Sequence, residues 1–184
     1  MTRYIKSNEE KLLREAALYD RAKTILREMI EECASDMISV GIPIQQDKIV
    51  DFGLADTKKR HAVCWFDERS DGYIIGVHKK IVRHLDDSVV LANLKNSVYH
   101  ELLHTIPGAT SHNEVFLKWA IACDEQLGTE TRVFKEAPIY YHKKNAKAFT
   151  YVCPHCGFTY VSAEVVEAPI AFACPICETV MSKA

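Results

Sequence analysis

The chain reads as α+β, and three observations carry that reading. Apolar residues recur at helical spacing as far as Ala34, three β-rich runs follow between Ile49 and Val77, and helical spacing returns from Leu91 to Leu127. A C-terminal block with two Cys-x-x-Cys pairs stands apart from these.

In the first helix Leu12, Ala16, Tyr19, Ala22 or Lys23, Leu26, Ile30 and Ala34 trace one face. Ser7 with Glu10 offers a capping box at its start, and Gly41 with Pro43 closes it. Ile49 to Leu54, His61 to Phe66 and Tyr73 to Val77 have strand composition. Asp71-Gly72 supplies a hairpin turn, so this part predicts a small antiparallel sheet. Asp86 and Asp87 offer an N-cap to the next helix, in which Leu91, Leu94, Val98 and Leu102 form an apolar stripe. Asn93, Asn96, Ser97, His100, Glu101 and His104 occupy its other side, and Pro107 with Gly108 ends it. Ser111-His112-Asn113-Glu114 reads as a second capping box, which puts His112 in the first turn of a final helix. The apolar face there is Val115, Phe116, Trp119, Ala122, Cys123 and Leu127, and Gly128 is the expected terminator.

The segment His100-Glu101-Leu102-Leu103-His104 has the residue types and spacing of a zinc-hydrolase centre. Two histidines four positions apart share a helix face, roughly 5–6 Å apart at Cβ, so both imidazoles can reach one metal. Glu101 is adjacent on the helix surface, where it can take a proton from a water in an open fourth position. His112 is the candidate third ligand, because Val115, Phe116 and Trp119 turn its face inward; Glu114 is the alternative, although the capping box employs it. A satisfied polar patch with a solvated Glu101 is the plain structural alternative. Trp119 reads as core. His61, His78, His84 and His142 have no comparable grouping and read as surface or strand residues without a role.

Cys153-Pro154-His155-Cys156 and Cys174-Pro175-Ile176-Cys177 form two knuckles separated by residues 157–173, a length that suits a hairpin. Four thiolates so arranged make a closed tetrahedral structural zinc site. Gly157 eases the turn after the first knuckle and Glu178 takes the matching place in the second, while Thr159 to Val161 and Ala171 to Ala173 have strand composition. Disulfide pairing is the alternative, but nothing in the sequence indicates export. No run of eighteen apolar residues occurs, and Met1 to Lys6 leads into no signal-like apolar core, so a cytoplasmic protein with no membrane partner is expected. Cys33, Cys64 and Cys123 are then reduced and mostly buried.

At 184 residues and 48% hydrophobic, the chain can form one domain of roughly 150 residues and a small metal-stapled module. The expected division is residues 1–131, a basic connector at 132–150, and a four-cysteine zinc ribbon at 151–184. The net charge is −2, and residues 151–184 hold only Lys183 against Glu164, Glu167 and Glu178, which does not favour phosphate binding by the ribbon. Basic residues gather instead at Lys58-Lys59-Arg60 and in the connector, with Arg132, Lys135, Lys143, Lys144 and Lys147. Solvated surface and nucleic-acid contact explain these runs about equally well. Tyr140, Tyr141, Phe149 and Tyr151 could stack on bases, though a ribbon core is their simpler use.

On His100-Glu101-Leu102-Leu103-His104, on His112 followed by Phe116 and Trp119, and on the four terminal cysteines, the chain resembles the SprT-like family of zinc metallopeptidases. This family includes the bacterial SprT proteins and the eukaryotic DNA–protein crosslink protease Spartan. The resemblance extends over most of the chain; relatives often carry glycine after the third histidine, where this chain has Asn113. It implies a minimal zincin fold with the metal helix under a small sheet, a catalytic zinc on His100, His104 and His112, and Glu101 as general base. An edge strand, with Tyr73 to Val77 as candidate, would hold the peptide substrate. It further implies substrates attached to DNA, single-stranded or crosslinked to protein, with Lys143, Lys144 and Lys147 as candidate contacts. An intracellular peptidase cutting one regulator without DNA, and a non-catalytic zinc-ribbon adaptor, are the other two classes; an intact Glu101 argues against the adaptor.

Overall fold

A computed structural model describes residues 2–57, 60–135, 149–162, 173–174 and 177–184, with the side chains of residues 2–13, 134 and 135 outside that description. Helix α1 (Thr2–Ser39) is followed by three strands, β1 (Ile49–Ala55), β2 (Ala62–Asp67) and β3 (Gly72–His78). Helices α2 (Ser88–Leu103) and α3 (Glu114–Leu127) come next, then β4 (Val133–Lys135), β5 (Phe149–Val152), β6 (Thr159–Ser162) and β7 (Ser182–Lys183). The α+β expectation holds.

Helix α1 runs through Ser7 rather than starting there. Its buried face is Ala22, Leu26, Met29, Ile30, Cys33, Ala34 and Met37; Ala16 and Tyr19, expected on that face, are exposed. Gly41 ends the helix at φ +79, where glycine avoids the Cβ clash of the left-handed region. The amides of Gly41 and Ile42 return to the carbonyls of Ile38 and Met37 at 3.0 and 2.9 Å, a Schellman closure.

The first sheet is mixed, in the order β1-β3-β2, with β1 parallel and β2 antiparallel to β3. This corrects two expectations. The sheet is not antiparallel throughout, because β1 lies on the side of β3 away from β2 and joins it in parallel register. The Tyr73–Val77 segment is the central strand, and β2 is the edge strand that packs against the helix of residues 88–103. Asp71 takes the left-handed conformation in the β2–β3 turn (φ +51). Gly72 is needed for space, since a Cβ there would lie 2.3 Å from Val50 Cγ1 and 2.6 Å from the Lys48 carbonyl oxygen.

Asp87 caps α2, its carboxylate accepting from the amides of Val89 and Val90 at 2.9 and 3.3 Å. Leu94, Val98, Leu102 and Leu103 are fully buried against α1 and the sheet, and Cys33 and Cys123 lie in the same core. Among the described residues no helix is long and apolar enough to cross a membrane.

The second sheet has the order β4-β6-β5-β7 around a small core of Tyr151, Cys153, Phe158, Cys174 and Met181. Phe149 packs against this core, as its simpler use required. Strand β4 pairs in parallel with β6, so residues 133–135, expected in the connector, extend the ribbon's sheet.

Candidate metal centre

Two features of α2 present the first two histidines. The leucine stripe fixes the helix roll, which leaves His100 and His104 half-buried on the side away from the core. The helix proper stops at Leu103, with His104 as its C-cap. His112 comes from the loop before α3, not from its first turn, and the expected Ser111 cap is replaced by Asn113. The Asn113 side chain accepts from the Phe116 amide at 3.1 Å and donates to the Gly108 carbonyl at 2.7 Å. One residue thus caps α3 and closes the loop that carries His112, its amide oxygen accepting and its amide nitrogen donating.

The ligand atoms of His100, His104 and His112 lie within 4.8 Å of one another, and the Nε2 atoms of His100 and His112 are 2.9 Å apart. Below them the buried Phe116 ring sits 4.9, 4.7 and 4.8 Å from the His100, His104 and His112 rings, centroid to centroid. Main-chain carbonyls orient two of the imidazoles. His100 Nδ1 is 2.7 Å from the Thr131 oxygen and His104 Nδ1 is 2.9 Å from the Ala109 oxygen. A carbonyl can only accept, so each Nδ1 carries the proton and each Nε2 offers its lone pair. Two such nitrogens turned toward a third within this distance fit a cation, and the trio could hold one metal ion.

Burial, with the neighbouring imidazoles adding to it, holds His100 down to about 3 and His112 down to about 4. His104 is lowered by burial as well. Neutral imidazoles are the form that binds a metal. Burial pushes the Glu101 carboxyl up to about 7, opposed by the Arg60 charge and by a hydrogen bond from the Cys64 main chain.

These groups share a cleft of about 560 Å³ with residues that sequence spacing could not associate with them. Arg60, His61 and Cys64 enter from β2 and its lead-in, and Phe158, Tyr160 and Ala173 enter from the ribbon. His61, read as a residue without a role, is buried beside Ser97, its Nδ1 3.5 Å from the Ser97 hydroxyl. His78 is also buried and caps the 3-10 turn after β3 by accepting from the Lys80 amide at 3.1 Å. No local pattern marks any of them, because the fold alone sets their surroundings.

The four cysteines form a second group that could hold a metal ion. Sγ atoms are 3.5 Å apart in Cys153–Cys177 and Cys156–Cys174, and 3.7 Å in Cys156–Cys177. A disulfide requires about 2.05 Å, whereas a tetrahedral ion with bonds near 2.3 Å spaces its sulfurs at roughly 3.8 Å. The knuckles repeat each other. Gly157 and Glu178 are both left-handed, at φ +71 and +58, and donate to the carbonyls of Cys153 and Cys174 at 3.0 and 2.9 Å. Hydrogen bonding from Thr179 pulls the Cys177 thiol down to about 6.

Lys143, Lys144 and Lys147 lie outside the described residues, as do Lys58 and Lys59. Compared with protein-family models, with curated proteins and with solved structures, the chain finds no match.

Proposed function

We propose that this chain is a zinc-dependent endopeptidase of the SprT-like, minimal-zincin type. The observation that carries the reading is the meeting of three neutral, lone-pair-bearing imidazoles with a buried carboxyl in one open cleft. Zinc on His100, His104 and His112 would supply a Lewis acid that polarises a scissile carbonyl and brings a water's pKa toward about 7. Glu101 takes the proton from the attacking water and returns it to the leaving amine. Burial raises the Glu101 carboxyl above its ordinary range, which makes it a better proton acceptor for this transfer. The cysteine group would hold a second, structural zinc.

The peptide would lie along β2. The His78 amide donates to the His61 carbonyl at 2.8 Å, so His61, Val63 and Trp65 turn their main chains toward β3. Ala62, Cys64 and Phe66 consequently turn theirs to the outer edge, where Ala62 and Cys64 line the cleft and the Cys64 main chain bonds to Glu101. An extended substrate can pair with this edge and carry its scissile bond past Glu101.

The resemblance extends the proposal to proteins attached to DNA, with the connector's lysines as contacts. Cleavage of a denatured protein substrate by zinc-loaded chain, with and without single-stranded DNA, tests both parts. Zinc-dependent cleavage supports the peptidase, and stimulation by DNA supports the substrate class. Equal cleavage without DNA favours a peptidase dedicated to a specific regulator.

A further inference from the structure

Behind the histidines lies an arrangement that hydrolysis does not use. After α3 the chain reverses at Gly128 (φ +65), and the loop of residues 129–132 folds back onto Asp124. The Asp124 carboxylate, with its side chain 9% exposed, accepts four hydrogen bonds from this loop. Its Oδ1 accepts from the Thr129 hydroxyl at 2.8 Å, the Thr131 amide at 2.7 Å and the Thr131 hydroxyl at 2.8 Å. Its Oδ2 accepts from Arg132 Nε at 2.8 Å. Thr131 is 1% exposed, and its carbonyl is the one that accepts the hydrogen bond from His100 Nδ1. The Glu130 amide donates to Asn96 Oδ1 at 3.0 Å, which fastens the same loop to α2.

The loop also continues without a break into the ribbon's sheet. The Thr159 amide donates to the Arg132 carbonyl at 3.2 Å, and β4 follows at once. A Cβ on Gly157 would lie 3.9 Å from Arg132 Nη1, so the guanidinium that binds Asp124 lies close to the first cysteine knuckle.

We propose that Asp124 is a positioning residue for His100, and that the loop it holds ties the geometry of the three histidines to the cysteine ribbon. This rests on the reading of the histidine trio as a metal site. The Thr131 carbonyl stays in place because four donors converge on one largely buried carboxylate. Without that acceptor the Thr131 amide loses its partner, the Thr131 and Thr129 hydroxyls keep only the Ala120 carbonyl at 3.2 Å and Cys123 Sγ at 3.5 Å, and the loop shifts to satisfy the amide. His100 then loses the group that fixes its tautomer and ring angle. Loss of ribbon order acts on the same loop from its other end, through β4. A metal in the cysteine site should therefore tighten the histidine site, although the two share no ligand.

Cobalt titration of the full chain tests this, because thiolate-to-cobalt charge transfer reports the cysteine site separately from the visible bands of the histidine site. For Asp124→Ala we expect roughly 10–100-fold weaker cobalt binding at the histidine site, the range for loss of a group that orients a metal ligand. The charge-transfer band should stay unchanged, which shows the ribbon intact. Asp124→Asn keeps an accepting Oδ1 for Thr131 and should recover most of the affinity. Cys153→Ser should weaken the histidine site without touching a histidine. If both sites bind cobalt in the wild type and the Asp124→Ala histidine site binds as tightly, the proposal is overturned alone. Should Asp124→Ala not fold, unchanged histidine-site affinity in Cys153→Ser, with its cysteine bands lost, overturns the proposal. A wild type with only the cysteine bands, matched by His100→Ala, removes the metal reading together with this one.

Discussion

The Phe116 ring stacks on the His104 imidazole at 4.7 Å and 27°, and the same ring supports His100 and His112. Phe116 is therefore the floor of the histidine site as well as a core residue. Phe116→Ala should cost about 3–5 kcal/mol of stability, the usual range for a buried phenylalanine, and should loosen metal binding. Phe116→Leu should keep most of the stability yet still weaken the metal site, since its branched chain fills the core without offering a flat face to three rings. Denaturant midpoints paired with chelator competition check both, and a Leu variant of wild-type metal affinity would contradict the floor.

The cysteine ribbon should depend on its own metal. The five buried residues among those described make too small a core to hold such a module alone. Metal analysis should find two zinc per chain, and Cys153→Ser should lose one together with C-terminal order. Retention of both metals and of an ordered C-terminus would contradict this.

Metal-stripped protein should lose stability on acidification from about pH 6.5 toward 4. Burial holds His100 at about 3 and His112 at about 4, against an ordinary 6.5. In that window the unfolded chain takes up two protons on these histidines that the folded chain refuses, which outweighs the one proton the folded chain takes up on Glu101, so the balance shifts toward unfolding as pH falls. Thermal midpoints of chelator-treated protein across this range should fall more steeply in the wild type than in a His100→Asn, His112→Asn variant. Equal slopes would mean that the two histidines are not held neutral by the fold.

If DNA directs the activity, replacing Lys143, Lys144 and Lys147 together should weaken DNA binding and flatten its salt dependence. Each lost phosphate contact lowers the slope of log affinity against log salt by roughly 0.7–0.9. Zinc content should not change. A wild type without DNA affinity at low salt would move the reading to the regulator-cutting peptidase.

What the sequence disclosed depended on how local the determining physics was. His100, His104 and Glu101 were legible because one helix sets their spacing, and the four cysteines because two short knuckles set theirs. His112 was legible as a member of the histidine trio while its cap was not. Ser111 and Asn113 both suit an N-cap, and the choice turned on the Gly108 carbonyl, which only the folded loop presents. The parallel partnership of β1 with β3 left no local mark, since alternation says which face is buried and not which strand lies alongside. The cleft positions of Arg60 and His61 and the Thr131 carbonyl that orients His100 depend on tertiary folding, and a carbonyl has no residue type to betray it.

The central claim is that this cleft hydrolyses peptide bonds with Glu101 as the proton-transfer group. Its most direct test is the turnover of a protein substrate by wild type and Glu101→Gln at equal zinc content, with and without single-stranded DNA. The amide keeps the size of the side chain and cannot accept the water's proton, so the variant should retain both zinc ions and lose at least about 10²-fold in rate. Undiminished turnover in the variant, or a fully zinc-loaded wild type that cleaves nothing under either condition, would contradict the account.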